Sequence, residues 1–436
     1  MRKNLVIPLS MFLVLLLASP VWASVNLNVN GRAYEPVQPL QLEQGITKGS
    51  LDLVGRVLGA DVSVKDQEII INKAGHILTL KVGSTSARFD GQEMMMPVAP
   101  QVLDSKIMVP LRFIYELFGA EVKWQDQSRT VAVNFSETRQ GLSVEEMLAK
   151  SSAAMEKYNS YKMKVAMDMQ NEVVEANKPG DIQKMDMTMQ MVVATQVNPM
   201  LIYGKTSATS ATVNLPQENT AQAIPAESEI LINDTGMYMT MPDQGWVKFD
   251  VPGLDMKALL EQTGSQDPLS SIKQMKDYGV MMSYGNDREK NGQPYWIINV
   301  TMGADSLNQF FSKAMKNLPL QEQPILKDVT QDVAQEITEL MTDVFKNMQA
   351  DIFYNVWIDQ NNYQPTYMDL EAAMKMNMQV PADKNTKTEI SMDMKQKANY
   401  EIYDLGADFA VPDVSSAIPM NDYIKQQTEA VNRQSN

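Results

Sequence analysis

Apolar and polar residues alternate in twos along several long stretches of the chain. Residues 185–191 read MDMTMQM, with Met185, Met187, Met189 and Met191 separated by Asp186, Thr188 and Gln190. Side chains of a strand point alternately to its two faces, so this period predicts a strand with all four thioethers on one side. Met163, Val165, Met167 and Met169 alternate in the same way with Lys162, Lys164, Asp168 and Gln170. Asn233 to Gly236 predicts a turn into Met237, Met239 and Met241. Met368, Leu370, Ala372, Met374, Met376, Met378 and Val380 hold one face over 13 residues, roughly 43 Å of strand. Ile390, Met392 and Met394 repeat the scheme. Long strands with one wet face predict a large, strongly curved antiparallel sheet with an apolar cover on its inner side.

The helical period appears between these strands. Ser143 and Glu146 form a capping box, followed by Val144, Met147, Leu148, Ala154, Met155 and Tyr158 at helical spacing. A helix running to about Tyr158 is predicted there. Residues 251–264, 306–317 and 326–348 are further candidates; in the last, Val329, Val333, Ile337, Leu340, Met341 and Val344 form one stripe. Lying between groups of strands, these helices are predicted to fold back over the sheet. Residues 213–229 read as a polar, Pro-containing loop and 416–436 as a flexible tail.

The first third of the chain contains a repeat. Leu58-Gly59-Ala60 aligns with Phe118-Gly119-Ala120, so the copies lie 60 residues apart. Each reads as helix, Gly-Ala, strand, turn and strand, with Gly59 and Gly119 where a helix C-terminal glycine belongs. Asn30-Gly31 is a hairpin signal. The segment MVPLRFIYELFGAEVKWQDQSRTVAV (108–133) closely resembles the copper amine oxidase N-terminal-like domain, over roughly residues 30–135. That module is a non-catalytic appendage, common in secreted proteins of Gram-positive bacteria, so the resemblance implies an extracellular accessory role and neither copper nor oxidation. Asn399-Tyr400-Glu401 does match the short pattern around the quinone-forming tyrosine of those oxidases. Their copper site needs three histidines, however, and the chain has only His76. Trp124 and Phe113 are predicted in the core shared by the two copies. Over residues 143–412, the order of opening helix, long strands and inserted helices resembles LolA-like envelope proteins, including lipoprotein carriers. That resemblance implies a half-barrel sheet with helices plugging its mouth.

Composition sets the compartment. Arg2 and Lys3 precede an apolar run from Leu5 to Ala18, and Val21 and Ala23 occupy small-residue positions before a cut. This is a secretory signal peptide over residues 1–23; a retained membrane anchor is the other reading, and the run is short for a span of about 20 residues. Cleavage after Ala23 removes Arg2 and Lys3 and no acid, taking the net charge from −15 to −17. That balance argues against nucleic acid as a partner. With no cysteine, the chain lacks both disulfides and the lipid-attachment site of a lipoprotein.

The 34 methionines admit three readings: ordinary core, an adaptable cavity for a hydrophobic ligand, or soft ligands for Cu(I). The candidate ligand-binding residues are Met167, Met169, Met185, Met187, Met189, Met191, Met239, Met374, Met376 and Met392. No catalytic residue, metal site or cofactor is predicted. Asp359 to Tyr363 lacks the glycine and closing glutamate of a calcium loop and reads as a turn. The sequence therefore predicts an α+β protein: a signal peptide, a small α/β repeat domain (24–139), and a half-barrel covered by helices (140–415). The function expected of it is that of a secreted, non-enzymatic envelope protein. Its back domain would hold a lipid or other hydrophobic group, and its front module would contact a cell-wall or envelope component. The alternative is a purely structural protein whose core fills itself.

Overall fold

The computed structural model describes residues 25–175, 182–214, 227–241, 244–249, 268–309, 348–381 and 387–434. Residues 1–23, predicted as a signal peptide, lie outside them, as do the predicted helix at 251–264, nearly all of 326–348, and most of 306–317. Helical residues 304–309 carry only the start of that last segment.

Short apolar stretches broken by Gly and Asn-Gly turns build the front domain. Its strands are β1 (Asn26–Val29), β2 (Arg32–Tyr34), β3 (Gln41–Glu43), β4 (Ile46–Ser50), β5 (Asp61–Lys65), β6 (Glu68–Lys73), β7 (His76–Lys81), β8 (Ser86–Phe89), β9 (Gln92–Met95), β10 (Gln101–Leu103), β11 (Lys106–Pro110), β12 (Glu121–Gln125) and β13 (Thr130–Asn134). Two short helices interrupt them: α1 (Leu51–Leu58), capped by Ser50, and α2 (Leu111–Leu117). Three sheets result, ordered β12-β13-β1-β2, β10-β11-β4-β3 and β5-β6-β7-β8-β9. The two repeats are visible as helix plus hairpin, but their hairpins join different sheets. The domain is also not α/β as predicted: helices of eight and seven residues are too short to form a layer, and β1–β13 is its one parallel pair among the described strands. Leu58, Ile69, Ile71, Leu78, Leu111 and Ile114 are fully buried in its core. Each contributes about 1.5–3 kcal/mol by leaving water.

The back domain begins with α3 (Val144–Met155), where the predicted capping box forms: Ser143 Oγ accepts from Glu146 N–H, and Glu146 Oε2 accepts from Ser143 N–H at 2.8 Å. Its strands are β14 (Ser160–Glu175), β15 (Ile182–Gln196), β16 (Leu201–Asn214), β17 (Glu227–Asn233), β18 (Gly236–Met241), β19 (Gly245–Phe249), β20 (Met281–Tyr284), β21 (Arg288–Lys290), β22 (Gln293–Gly303), β23 (Gln349–Asp359), β24 (Pro365–Pro381), β25 (Lys387–Tyr403) and β26 (Ile418–Pro419). They form one sheet, ordered β20-β22-β23-β24-β25-β14-β15-β16-β17-β18-β19-β26, with β21 beside β22. All its pairs are antiparallel except β19–β26. Register shifts at Thr188/Met189 and Trp357/Ile358 bend it. The stretch 416–436, predicted as a flexible tail, instead carries β26 and helix α5 (Met420–Gln434), both against β19. Helix α4 (Pro268–Asp277) precedes β20.

The two domains are docked. Arg56 of α1 holds Asp351 of β23 with both terminal guanidinium nitrogens, Nη2 lying 3.0 Å from Oδ2. Lys73 Nζ donates to the Tyr284 carbonyl at 2.6 Å and pairs with Glu137 at 2.8 Å. Burial pushes its pKa below the ordinary lysine value, against the pull of Glu137. Met281 of β20 enters the front core. Gly59, in the left-handed region at φ 64°, passes so close to Tyr284 that an added Cβ would lie 1.8 Å from the carbonyl oxygen. The glycine predicted from its helix-ending position is thus also required by a domain contact.

Candidate functional site: a methionine-lined sheet face

Register shows which side chains share the inner face. One row crosses six strands: Val300, Tyr354, Leu370, Ala398, Met167 and Met189. At about 4.8 Å per strand it is roughly 24 Å wide. The next row runs Met302, Ile352, Ala372, Gln396, Met169 and Met187. Beyond it stand Ala350, Met374, Met394, Asn171 and Met185. Met376 pairs with Met392, and Met191 with Val165. Nine of the ten predicted residues therefore form one continuous patch over β24, β25, β14 and β15. Met239 shares this face but sits three strands away, between Ile230 and Val247.

The character of the face changes along the sheet. At the β20–β22 end it is closed. Helices α3 and α4 pack there on Tyr284, Trp296, Ile298 and Val300, all at most 4% exposed. Lys276 of α4 pairs with Glu145 of α3. Burial works to raise the Glu145 pKa, but the ammonium prevails and holds it below the usual carboxylate value. Towards β15 the small residues of the rows are buried at the base, Ala398 and Val165 among them, while the methionines are only half-buried. Desolvation pushes the Tyr354 phenol up to about 12 and also raises that of Tyr400.

Opposite faces of the same strands carry the polar residues, as the alternation predicts. Thr188 donates to Asp168 at 2.7 Å, and Lys184 pairs with Glu172 at 2.6 Å. Such exposed pairs contribute little stability. Two polar residues on the inner face escaped the sequence reading. Gln396 interrupts the Met392–Met394 alternation, and its Nε2 donates to the Met167 sulfur at 3.3 Å. Asn171 interrupts that of Met163 to Met169, and its buried Oδ1 has no hydrogen-bond partner. Their inward position was legible by extending each strand's parity. Gly204 was also missed: a Cβ there would lie 2.9 Å from Ile230, so only glycine lets this residue sit under the face beside Met191.

Among the described residues, the soft ligands this face offers copper are thioethers. The single histidine, His76, lies in the front domain, its Nδ1 2.6 Å from Asp90 Oδ2. Among the described residues no group of three or more His, Asp or Glu could hold a metal ion, and no helix is long and apolar enough to cross a membrane.

The architecture is thus a small β-rich module docked on a large, mainly antiparallel sheet with one apolar, methionine-lined face. By comparison with known families, the chain belongs to a family of unknown function, DUF6612, which matches residues 143–416. Residues 28–133 match the copper amine oxidase N-terminal domain. No curated protein matches. Among solved structures, the Mycobacterium tuberculosis lipoprotein LppX is 10% identical, with a TM-score of 0.29, covering 62% of this chain and 98% of its own. LprF from Mycobacterium bovis is 11% identical, with a TM-score of 0.26, covering 64% and 99%. A putative outer membrane lipoprotein-sorting protein domain from Vibrio parahaemolyticus is 12% identical, with a TM-score of 0.17, covering 65% and 96%. Likenesses this distant say nothing of what this chain binds.

Proposed function

We propose that the protein is an exported, non-enzymatic envelope protein whose large sheet acts as a half-barrel that holds a lipid or other apolar group against its methionine face. The observation that carries this reading is the contrast within one face. Where α3 and α4 cover the sheet, Ile, Val and Trp are buried; further along the same face, over β14 and β15, Met167, Met169, Met187 and Met189 are half-buried. Methionine is unbranched and polarizable, so it suits a surface that must fit occupants of varying shape. Export follows from the charge and apolar run of residues 1–23, and the docked front domain serves as the contact module.

An apolar fluorescent probe should bind the native protein and be displaced by a fatty acyl or isoprenoid lipid. Met189→Asp places a charge among apolar groups, at several kcal/mol if it stays ionised and unpaired. It should abolish probe binding or unfold the domain, and circular dichroism separates the two. Native mass spectrometry of protein purified from its own host should show co-purified lipid. A folded wild type that takes up no apolar probe would sink the reading and leave the methionines as plain core.

A further inference from the structure

The front domain contains a cleft that the sheet face does not explain. Its volume is about 350 Å³, and it is lined by residues of α2, β12, β13 and the β3–β4 connection. Val122 and Val131 are among its lining residues and are almost fully buried, at 8% and 4% exposure. Phe113 and Trp124 line it too. The sequence predicts both in a shared core, but the structure leaves each half-buried, packed on the core from one side and bordering the cleft. Trp124 is held in place by its indole N–H, which donates to Asp126. Three of the lining residues are polar, Thr47, Arg112 and Glu116, and Gly45, Ile46, Pro97 and Pro110 complete the wall. Arg112 and Glu116 are more than half exposed and only loosely paired, Nε to Oε1 at 4.0 Å.

We infer that this cleft binds a neutral pyranose ring of a glycan. A sugar ring has apolar C–H faces and a rim of hydroxyls, each both donor and acceptor. Phe113 and Trp124 supply apolar aromatic surface for the first. Arg112, a donor only, and Glu116, an acceptor only, are both matched by a ligand with both functions, which hydroxyls provide. An acyl chain provides neither. A proline-rich peptide matches the aromatic surface but lacks N–H groups at its prolines, so it offers Glu116 fewer donors than a rim of hydroxyls does. The charges of Arg112 and Glu116 cancel, and the chain as a whole is strongly acidic at −15, so an anionic ligand gains nothing. The cleft is separate from the methionine face, and the inference stands independently of the lipid reading.

The test is a titration of the full-length protein with two β-1,4-linked tetrasaccharides, one of glucose and one of N-acetylglucosamine, read by tryptophan fluorescence and saturation-transfer NMR. Saturable binding of either is expected, at millimolar affinity or better. Trp124→Ala should weaken it at least tenfold, and Met189→Leu should leave it unchanged. If Trp124→Ala unfolds by circular dichroism, Arg112→Ala decides, because its exposed side chain can be removed without opening the core; a loss of about tenfold is expected. The inference is overturned if neither sugar binds saturably, if Arg112→Ala binds sugar as the wild type does, or if a proline-rich decapeptide rather than either sugar binds in a Trp124-dependent way.

Discussion

The inner face of the large sheet is two surfaces in one. Under α3 and α4, Trp296, Ile298 and Val300 sit at 4% exposure or less. A few strands away, Met167, Met169, Met187 and Met189 project from the same side and remain half-buried. The row from Val300 to Met189 is continuous in register and parity, so strand propensity alone does not account for the change in residue type. The difference lies in the partner. Branched and aromatic side chains have few rotamers and suit a fixed helical lid. Methionine keeps three rotatable bonds and suits a lid or occupant that varies.

Substitutions can break or sharpen that contrast. At the closed end, Ile298→Ala should cost about 2–5 kcal/mol, because the helices above cannot collapse fully into the gap; urea unfolding measures it. At the methionine end, Met189→Leu should cost less than about 1.5 kcal/mol, since volume is conserved and the surroundings are loose. Met189→Ala should likewise cost less than Ile298→Ala, and equal costs for these two truncations would mean the methionine face is as tightly packed as the closed one. The helical lid has its own pH signature. The Glu145 pKa is depressed in the folded protein, so the pair with Lys276 stabilises above the ordinary carboxylate value of 4.5 and is lost as pH falls below it. Glu145→Gln should therefore reduce stability by up to about 1 kcal/mol at pH 7, with the gap to wild type closing towards pH 3. Asp168→Ala, on the wet face, should change stability by no more than about 0.5 kcal/mol. A larger loss there would mean the face assignment is reversed.

Period-two alternation made the long strands legible, because one wet face leaves an unbroken parity signal from Met368 to Met378. The capping box gave the start of α3 for a similarly local reason. What escaped depends on contacts between distant segments. Nothing near Phe113 or Trp124 shows that one side of each ring borders a cleft. Residues 416–436 look polar enough to fray, yet Ile418 finds Val247 and orders the strand before α5. The α/β reading of the front domain failed because helix patterns of two turns resemble the ends of longer ones. Met239 was placed on the right face but not in the patch, since sequence parity carries no strand order.

Gly59 and the short strand Ile418–Pro419 belong to opposite borders of the large sheet. An open sheet presents unpaired amides and carbonyls at each outer strand, and these can recruit further strands into fibrils. At β20 the position is taken: Lys73 caps the Tyr284 carbonyl and α1 presses so close that only glycine fits. At β19 the added strand is two residues long and ends in a proline, which has no amide to offer a newcomer. In a protein with a broad apolar face and long strands, both features work against growth by side-to-side stacking of its own copies.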